Sequence, residues 1–201
     1  MLYRSTVSKS TFKLLEDLQS IEEFSKLRLV GGTALALLIG HRISVDLDLF
    51  GDIDFDSQLF SGFDKVQAIK KSKNINIFEI NNVKVDIVNY AYPWLDNELQ
   101  IDGIRLAGLK DIAAMKIAAV TGRGSKKDFV DLYFLLREFS FNEIVSFYEQ
   151  KYADASIYLA LKSLVYFDDA DKDPPLNMLK DIAWQDVKDR IRKEVINYSE
   201  S

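Results

Sequence analysis

Asp46 and Asp48 stand two apart in the run Arg42-Ile43-Ser44-Val45-Asp46-Leu47-Asp48-Leu49-Phe50. Side chains alternate faces along a strand, so this spacing predicts both carboxylates on one side and Leu47 and Leu49 in the core. Two carboxylates one pleat apart repel each other, and a divalent cation between them would supply the missing counter-charge. A bare Asp-x-Asp is weak alone, because the same pair on a solvated edge needs no ligand. What precedes it narrows the reading. Gly31-Gly32-Thr33 closes a short strand and opens a helix just upstream. Glycines there let backbone N–H groups approach phosphate oxygens, and a helix start adds favourable partial charge. A tight strand-to-helix turn would use such glycines too. A glycine turn, a short helix and then a strand bearing Asp-x-Asp together point to metal-assisted phosphoryl chemistry.

Chemistry of that kind with two metals needs a third carboxylate. Val83-Lys84-Val85-Asp86-Ile87-Val88 offers a lone acid in a β-branched strand. If that strand lies beside the one bearing Asp46, Asp86 completes a metal cluster, ligates the metal that activates a hydroxyl, or accepts its proton. The bland alternative is an ion pair with Lys84 or Arg105. Further along, Lys116 interrupts the apolar run Ile112–Val120, where a lysine either snorkels to water or reaches a phosphate. Arg123-Gly124-Ser125-Lys126-Lys127-Asp128-Phe129-Val130-Asp131 then gathers five charged groups at a helix start. Asp128 and Asp131 share a helical face. Capping and local pairs such as Lys127 with Asp131 are the plain reading; Lys116 and Asp128 are the residues with most functional promise.

The elements that must position these groups fall into two textures. Ser10–Leu27 reads as an amphipathic helix, Arg28–Val30 as a strand, and Thr33–Ile39 as a compact helix with Thr33 as its N-cap. Ile43–Phe50 reads as a strand and Asp56–Lys73 as a helix. Residues 74–89 read as two strands turning at Asn81-Asn82, and Ile101–Leu106 as a further strand. After Ala107 helical patterns dominate: 109–121, 126–139, 141–152, 155–167 and 184–198, with Asp168–Pro175 as a loop. The predicted class is α+β: a small mixed-sheet lobe over 1–107, then a helical lobe over 108–201 that completes the cleft.

Bulk properties bound the alternatives. The 201 residues are 48% hydrophobic with 13 Phe and 9 Tyr, enough for an ordinary core. There is no Cys and one His, His41, so a metal must be held by oxygen, which suits magnesium or manganese. Nothing near the N-terminus reads as a signal peptide, and Ala34–Gly40 is far short of a membrane span; a cytoplasmic protein without membrane contact is the expectation. A net charge of −5 does not advertise nucleic-acid binding, although a local basic patch would escape that measure.

The segments Gly31–Ala36, Arg42–Phe50, Asp111–Lys116 and Arg123–Tyr133 resemble the AbiEii type nucleotidyltransferases. These are toxins of type IV toxin–antitoxin systems within the DNA polymerase β-like nucleotidyltransferase superfamily. The likeness runs in order from about residue 28 to 137. It implies that Gly31, Gly32 and Thr33, with Arg42, Ser44 and Lys116, bind a nucleoside triphosphate, and that Asp46, Asp48 and Asp86 hold magnesium, two ions by expectation. It gives Asp128 a further acidic role in activity. It also implies transfer of a nucleotide to a hydroxyl acceptor, RNA such as tRNA, and an antitoxin encoded alongside. The alternatives are a catalytically degenerate binding module and a transferase acting on a small molecule such as an antibiotic. A sugar-nucleotide transferase fits less well, having too little chain before its Asp-x-Asp. An aspartyl phosphohydrolase would want Thr where Leu49 stands.

Overall fold

The computed structural model describes residues 1–54 and 56–200, without the side chains of Ser57 and Gln58. Its contacts divide it into two compact units, residues 1–92 with 97–107, and residues 93–96 with 108–201. The class is α+β: a seven-stranded mixed sheet in the first unit and helices throughout the second. No helix among the described residues is long and apolar enough to cross a membrane.

The first unit begins with α1, Lys9–Gln19, capped by Ser8, whose hydroxyl accepts the Thr11 N–H at 3.0 Å. Phe12, Leu14, Leu15 and Leu18 bury its apolar face. The sequence reading carried this helix to Leu27; it stops at Gln19 and a 3-10 turn, Glu22–Phe24, follows. Arg105 explains the stop, since its guanidinium takes the carbonyl of Gln19 (2.8 Å) that a continuing helix would have used, and also that of Phe24 (3.1 Å). Gln19 answers by bonding both backbone groups of Arg105, at 2.8 and 2.9 Å.

The sheet comprises β1 (Arg28–Val30), β2 (Leu47–Gly51), β3 (Val66–Lys70), β4 (Ile75–Ile80), β5 (Val83–Asn89), β6 (Leu99–Ile101) and β7 (Ile104–Leu106), in the order β3-β4-β5-β2-β1-β7-β6. β2 therefore sits near the middle, antiparallel to β1 and parallel to β5. Leu47, Leu49, Val85 and Ile87 are fully buried, as is the middle of α2, Gly31–Ile39. Asn81 and Asn82 both adopt positive φ, as a two-residue hairpin turn demands, and Asp102-Gly103 does the same between β6 and β7. The helix expected over Asp56–Lys73 is instead a 3-10 turn, Ser57–Phe60, followed by β3. β3 is an edge strand with every residue exposed and a bulge near Ala68 and Lys70, so it carries no alternation to read.

The second unit holds α3 (Leu109–Gly122), α4 (Lys126–Leu135), α5 (Phe141–Lys151), α6 (Ile157–Leu164) and α7 (Trp184–Ser199). Ser140 and Glu143 close a reciprocal capping box at the start of α5. Residues 93–96 belong here because Asp111 holds them: its carboxylate accepts the N–H groups of Leu95 (3.0 Å) and Asp96 (2.9 Å). Lys151, fully buried, reaches Asp111 and the Pro93 carbonyl, each at 2.6 Å, under the Trp94 ring. Removing one partner of a buried pair strands the other charge away from water. Asp111→Ala is expected to cost about 3–5 kcal/mol in chemical denaturation; a loss below about 1 kcal/mol, the range of a surface pair, would show the network to be dispensable.

Candidate active site

The register of three strands assembles the site in the first unit. Asp48 lies opposite Asp86 across the parallel β2–β5 pair and opposite Val30 across the antiparallel β1–β2 pair. Neighbouring strands are about 4.8 Å apart, so the two acids are crowded. Gly31 follows Val30 directly and therefore meets Asp48. A Cβ on Gly31 would fall 2.4 Å from Asp48 Oδ2, and Gly31 has φ +70. The glycine is required twice, by backbone conformation and by the carboxylate occupying the place of its side chain.

Asp46 stands one residue ahead of β2 rather than inside it, because the strand predicted over 43–50 begins only at Leu47. Its segment is braced through the backbone. The Thr33 hydroxyl bonds the Asp46 carbonyl and joins Ser44 Oγ at 2.8 Å, while the Ser44 N–H donates to the Thr6 carbonyl at 2.8 Å. This corrects one reading. Thr33 is no N-cap, since α2 starts at Gly31 with Val30 as its cap residue. Thr33, Ser44 and Arg42 are all buried. Their side chains brace the segment from within, Arg42 bonding the Ile43 carbonyl at 3.0 Å. Gly31 and Gly32 remain partly accessible at the helix start, where no acidic side chain occupies the first turn.

Asp86 has the bland partner: Lys84 Nζ lies 2.7 Å from its Oδ1 and 2.8 Å from its Oδ2. Only the Oδ2 contact has hydrogen-bond geometry, and the buried Oδ1 makes no hydrogen bond. Arg105 is engaged elsewhere, with the carbonyls of Gln19 and Phe24. Among the described residues no three His, Cys, Asp or Glu side chains stand ready-made around a metal position. Asp46 is held outside the ladder, and Lys84 supplies charge that a cation would otherwise bring. The donor chemistry nevertheless fits a hard divalent ion at Asp48 and Asp86: oxygen ligands only, paired by register, with one buried carboxylate oxygen still lacking a hydrogen bond.

The second unit contains its own charged centre. Lys116 is buried and pairs with Asp128 at 3.0 Å and Asp131 at 2.6 Å, instead of snorkelling to water. Asp128 also accepts Arg123 Nε (2.8 Å), Arg123 Nη2 (2.9 Å) and Ser125 Oγ (2.6 Å). Burial pushes the Asp128 carboxyl up, but Lys116, Arg123 and Ser125 together outweigh it and hold the group well below the usual carboxylate range. Sequence reasoning singled out Lys116 and Asp128 but left Asp131 to a pairing with Lys127. The signal for the observed partner is spacing: a lysine alone in a buried helical run needs two acids one turn apart on a facing helix.

Residues 13–76 and 74–197 match the family described as "Nucleotidyl transferase AbiEii toxin, Type IV TA system". The uncharacterized protein aq_aa25 of Aquifex aeolicus (strain VF5) is 37% identical over 97% of this chain and 98% of its own length. In fold the chain is similar to a putative nucleotidyltransferase from H. pylori (TM-score 0.57, 16% identity, covering 94% and 95% of the two chains). It is equally similar to MenT4, the nucleotidyltransferase toxin Rv2826c of Mycobacterium tuberculosis H37Rv (TM-score 0.57, 14% identity, covering 94% and 84%).

Two outcomes follow from this geometry. Gly31→Ala should destabilise by about 1–2 kcal/mol through its backbone alone and turn Asp48 aside; an unchanged melting temperature would contradict the close approach. For Asp128 the folded pKa is depressed, so its stabilisation is fully present above the unfolded value of 3.8 and is lost as pH falls below it. Asp128→Asn should remove that part of the acid-side slope in melts taken across this range. An identical slope in both proteins would mean the carboxylate is not so held.

Proposed function

The chain belongs to the AbiEii nucleotidyltransferase toxin family, and from that premise we propose that it moves a nucleoside monophosphate from a nucleoside triphosphate to a hydroxyl on RNA, as the toxin partner of an antitoxin. The observation that carries this reading is the meeting of Asp48, Asp86 and Gly31 at one register of the central sheet.

In this proposal Asp48 and Asp86, joined by Asp46, hold magnesium, manganese being the natural substitute. Bound there, the metal would neutralise triphosphate charge and lower the pKa of the acceptor hydroxyl. The N–H groups of Gly31 and Gly32, at a helix start whose cap residue Val30 makes no side-chain bond, face the phosphates and offset charge on the departing pyrophosphate. The acceptor oxygen forms its bond to the α-phosphorus, the bond from that phosphorus to the bridging oxygen breaks, and pyrophosphate leaves. The hydroxyl proton passes to a carboxylate, and Asp86 is the candidate once Lys84 swings off it. Thr33, Ser44 and Arg42 serve as positioning residues that fix the segment carrying Asp46. Lys116 and Asp128 act together: Asp128 and Asp131 hold the ammonium in place, so that loss of Asp128 acts through Lys116.

The test is incubation of the purified protein with magnesium, each α-labelled ribonucleotide in turn and total bacterial RNA. Wild type should label RNA, while Asp46→Ala/Asp48→Ala should lose at least about 100-fold in transfer with an unchanged fold by circular dichroism. Equal labelling by that double variant would sink the site; label appearing only on small hydroxyl compounds would replace RNA by a small-molecule acceptor.

A further inference from the structure

A cavity of about 600 Å³ opens in the strand-bearing unit, walled by Arg4, Val7, Lys9, Phe12, Lys13 and Glu16. It lies outside every motif discussed above. Its charge runs against that of the chain: residues 1–15 contain Arg4, Lys9 and Lys13 and no acid, while the whole protein carries −5. Arg4 and Lys9 have no carboxylate partner among the described residues. Lys13 pairs with Asp17 at 2.8 Å, but both are well exposed, so the pair is weak and exchangeable. The Arg4 guanidinium is stacked 4.3 Å over the Phe12 ring, which fixes the direction of its planar donor fork.

The cavity is stitched to the candidate site within the same unit. Tyr3 N–H donates to the Leu37 carbonyl of α2 at 2.8 Å, and Thr6 accepts the Ser44 N–H at 2.8 Å. The wall that carries Arg4 is thus bonded both to the helix that starts at Gly31 and to the segment leading into Asp46. We propose that this cavity grips the sugar–phosphate backbone of the RNA acceptor, an inference that takes its acceptor from the function proposed above. Lys9 and Lys13 are one helical turn apart, presenting charges in a row, as a phosphodiester chain does. Arg4 offers a preset bidentate contact to one phosphate. Val7 and Phe12 give an apolar floor for a ribose or base edge, and Glu16 marks where the anion path ends.

The experiment is fluorescence anisotropy of a labelled single-stranded RNA oligonucleotide with wild type and with Arg4→Gln/Lys9→Gln, titrated over a range of salt. Loss of two phosphate contacts should weaken binding about tenfold at low salt and flatten the log–log salt slope by about 1.4, at about 0.7 per contact. Lys9→Gln alone, at an exposed position, should take about half of that change and guards against misfolding of the double variant. Magnesium-dependent binding of nucleoside triphosphate should be the same in all three. RNA binding and salt slope unchanged in both variants would overturn the proposal. So would equal affinity for poly-glutamate with the same sensitivity, which would assign the cavity to an acidic protein. Wild type that transfers nucleotide to a small acceptor yet binds no RNA would overturn this inference alone. RNA binding with the predicted sensitivity in a protein that transfers nothing would uphold it while removing the proposed reaction.

Discussion

Carboxylate crowding between two neighbouring parallel strands sets the terms for the first unit. Asp48 and Asp86 share a register on β2 and β5, close enough that their charges repel. The fold answers with Lys84 on one side of Asp86 and with a glycine where any side chain would displace Asp48. It spends core hydrophobes, Leu47, Leu49, Val85 and Ile87, on the alternate positions of the same strands to fix that register, since a slip by one residue would bury the acids and expose the leucines. Local repulsion is thus maintained by burial elsewhere.

The helical unit solves a related problem inside one body. Lys116 and Lys151 are both buried, and each is met by a carboxylate that has further donors of its own. Asp111 serves Lys151 and two backbone amides of residues 95 and 96; Asp128 serves Lys116, Arg123 and Ser125. Networks satisfied to this degree specify one packing of the helices, whereas a half-satisfied network would cost more than an apolar core. The two networks differ in reach. Asp111 ties a chain crossing in place, while Arg123, over half exposed, links the buried Asp128 to the surface.

Much of this was legible from residues alone, and the failures are instructive. The Asn81-Asn82 turn and the Asp86 strand follow from turn chemistry and β-branched residues, and the parallel pairing of β2 with β5 turned that lone acid into a neighbour of Asp48. Edge strand β3 was invisible because an edge with a bulge and no buried face has no period to detect. The early end of α1 depended on Arg105, some eighty residues away in sequence, competing for the Gln19 carbonyl. Thr33, Ser44 and Arg42 are of residue types that touch phosphate, and their buried side chains also brace the segment entering the central strand, where buried polar groups must be bonded. Spacing can nominate a hydroxyl; it does not say which way the helix is rolled.

In the proposed reaction Asp48 and Asp86 act together as the seat of a divalent cation. Manganese binding followed by electron paramagnetic resonance, in the presence of a non-transferable nucleoside triphosphate analogue, tests this directly in wild type, Asp48→Asn and Lys84→Met. Wild type should take up manganese, Asp48→Asn should lose it, and Lys84→Met, with its competing ammonium gone, should bind more tightly. Equal manganese uptake by wild type and Asp48→Asn would contradict the account.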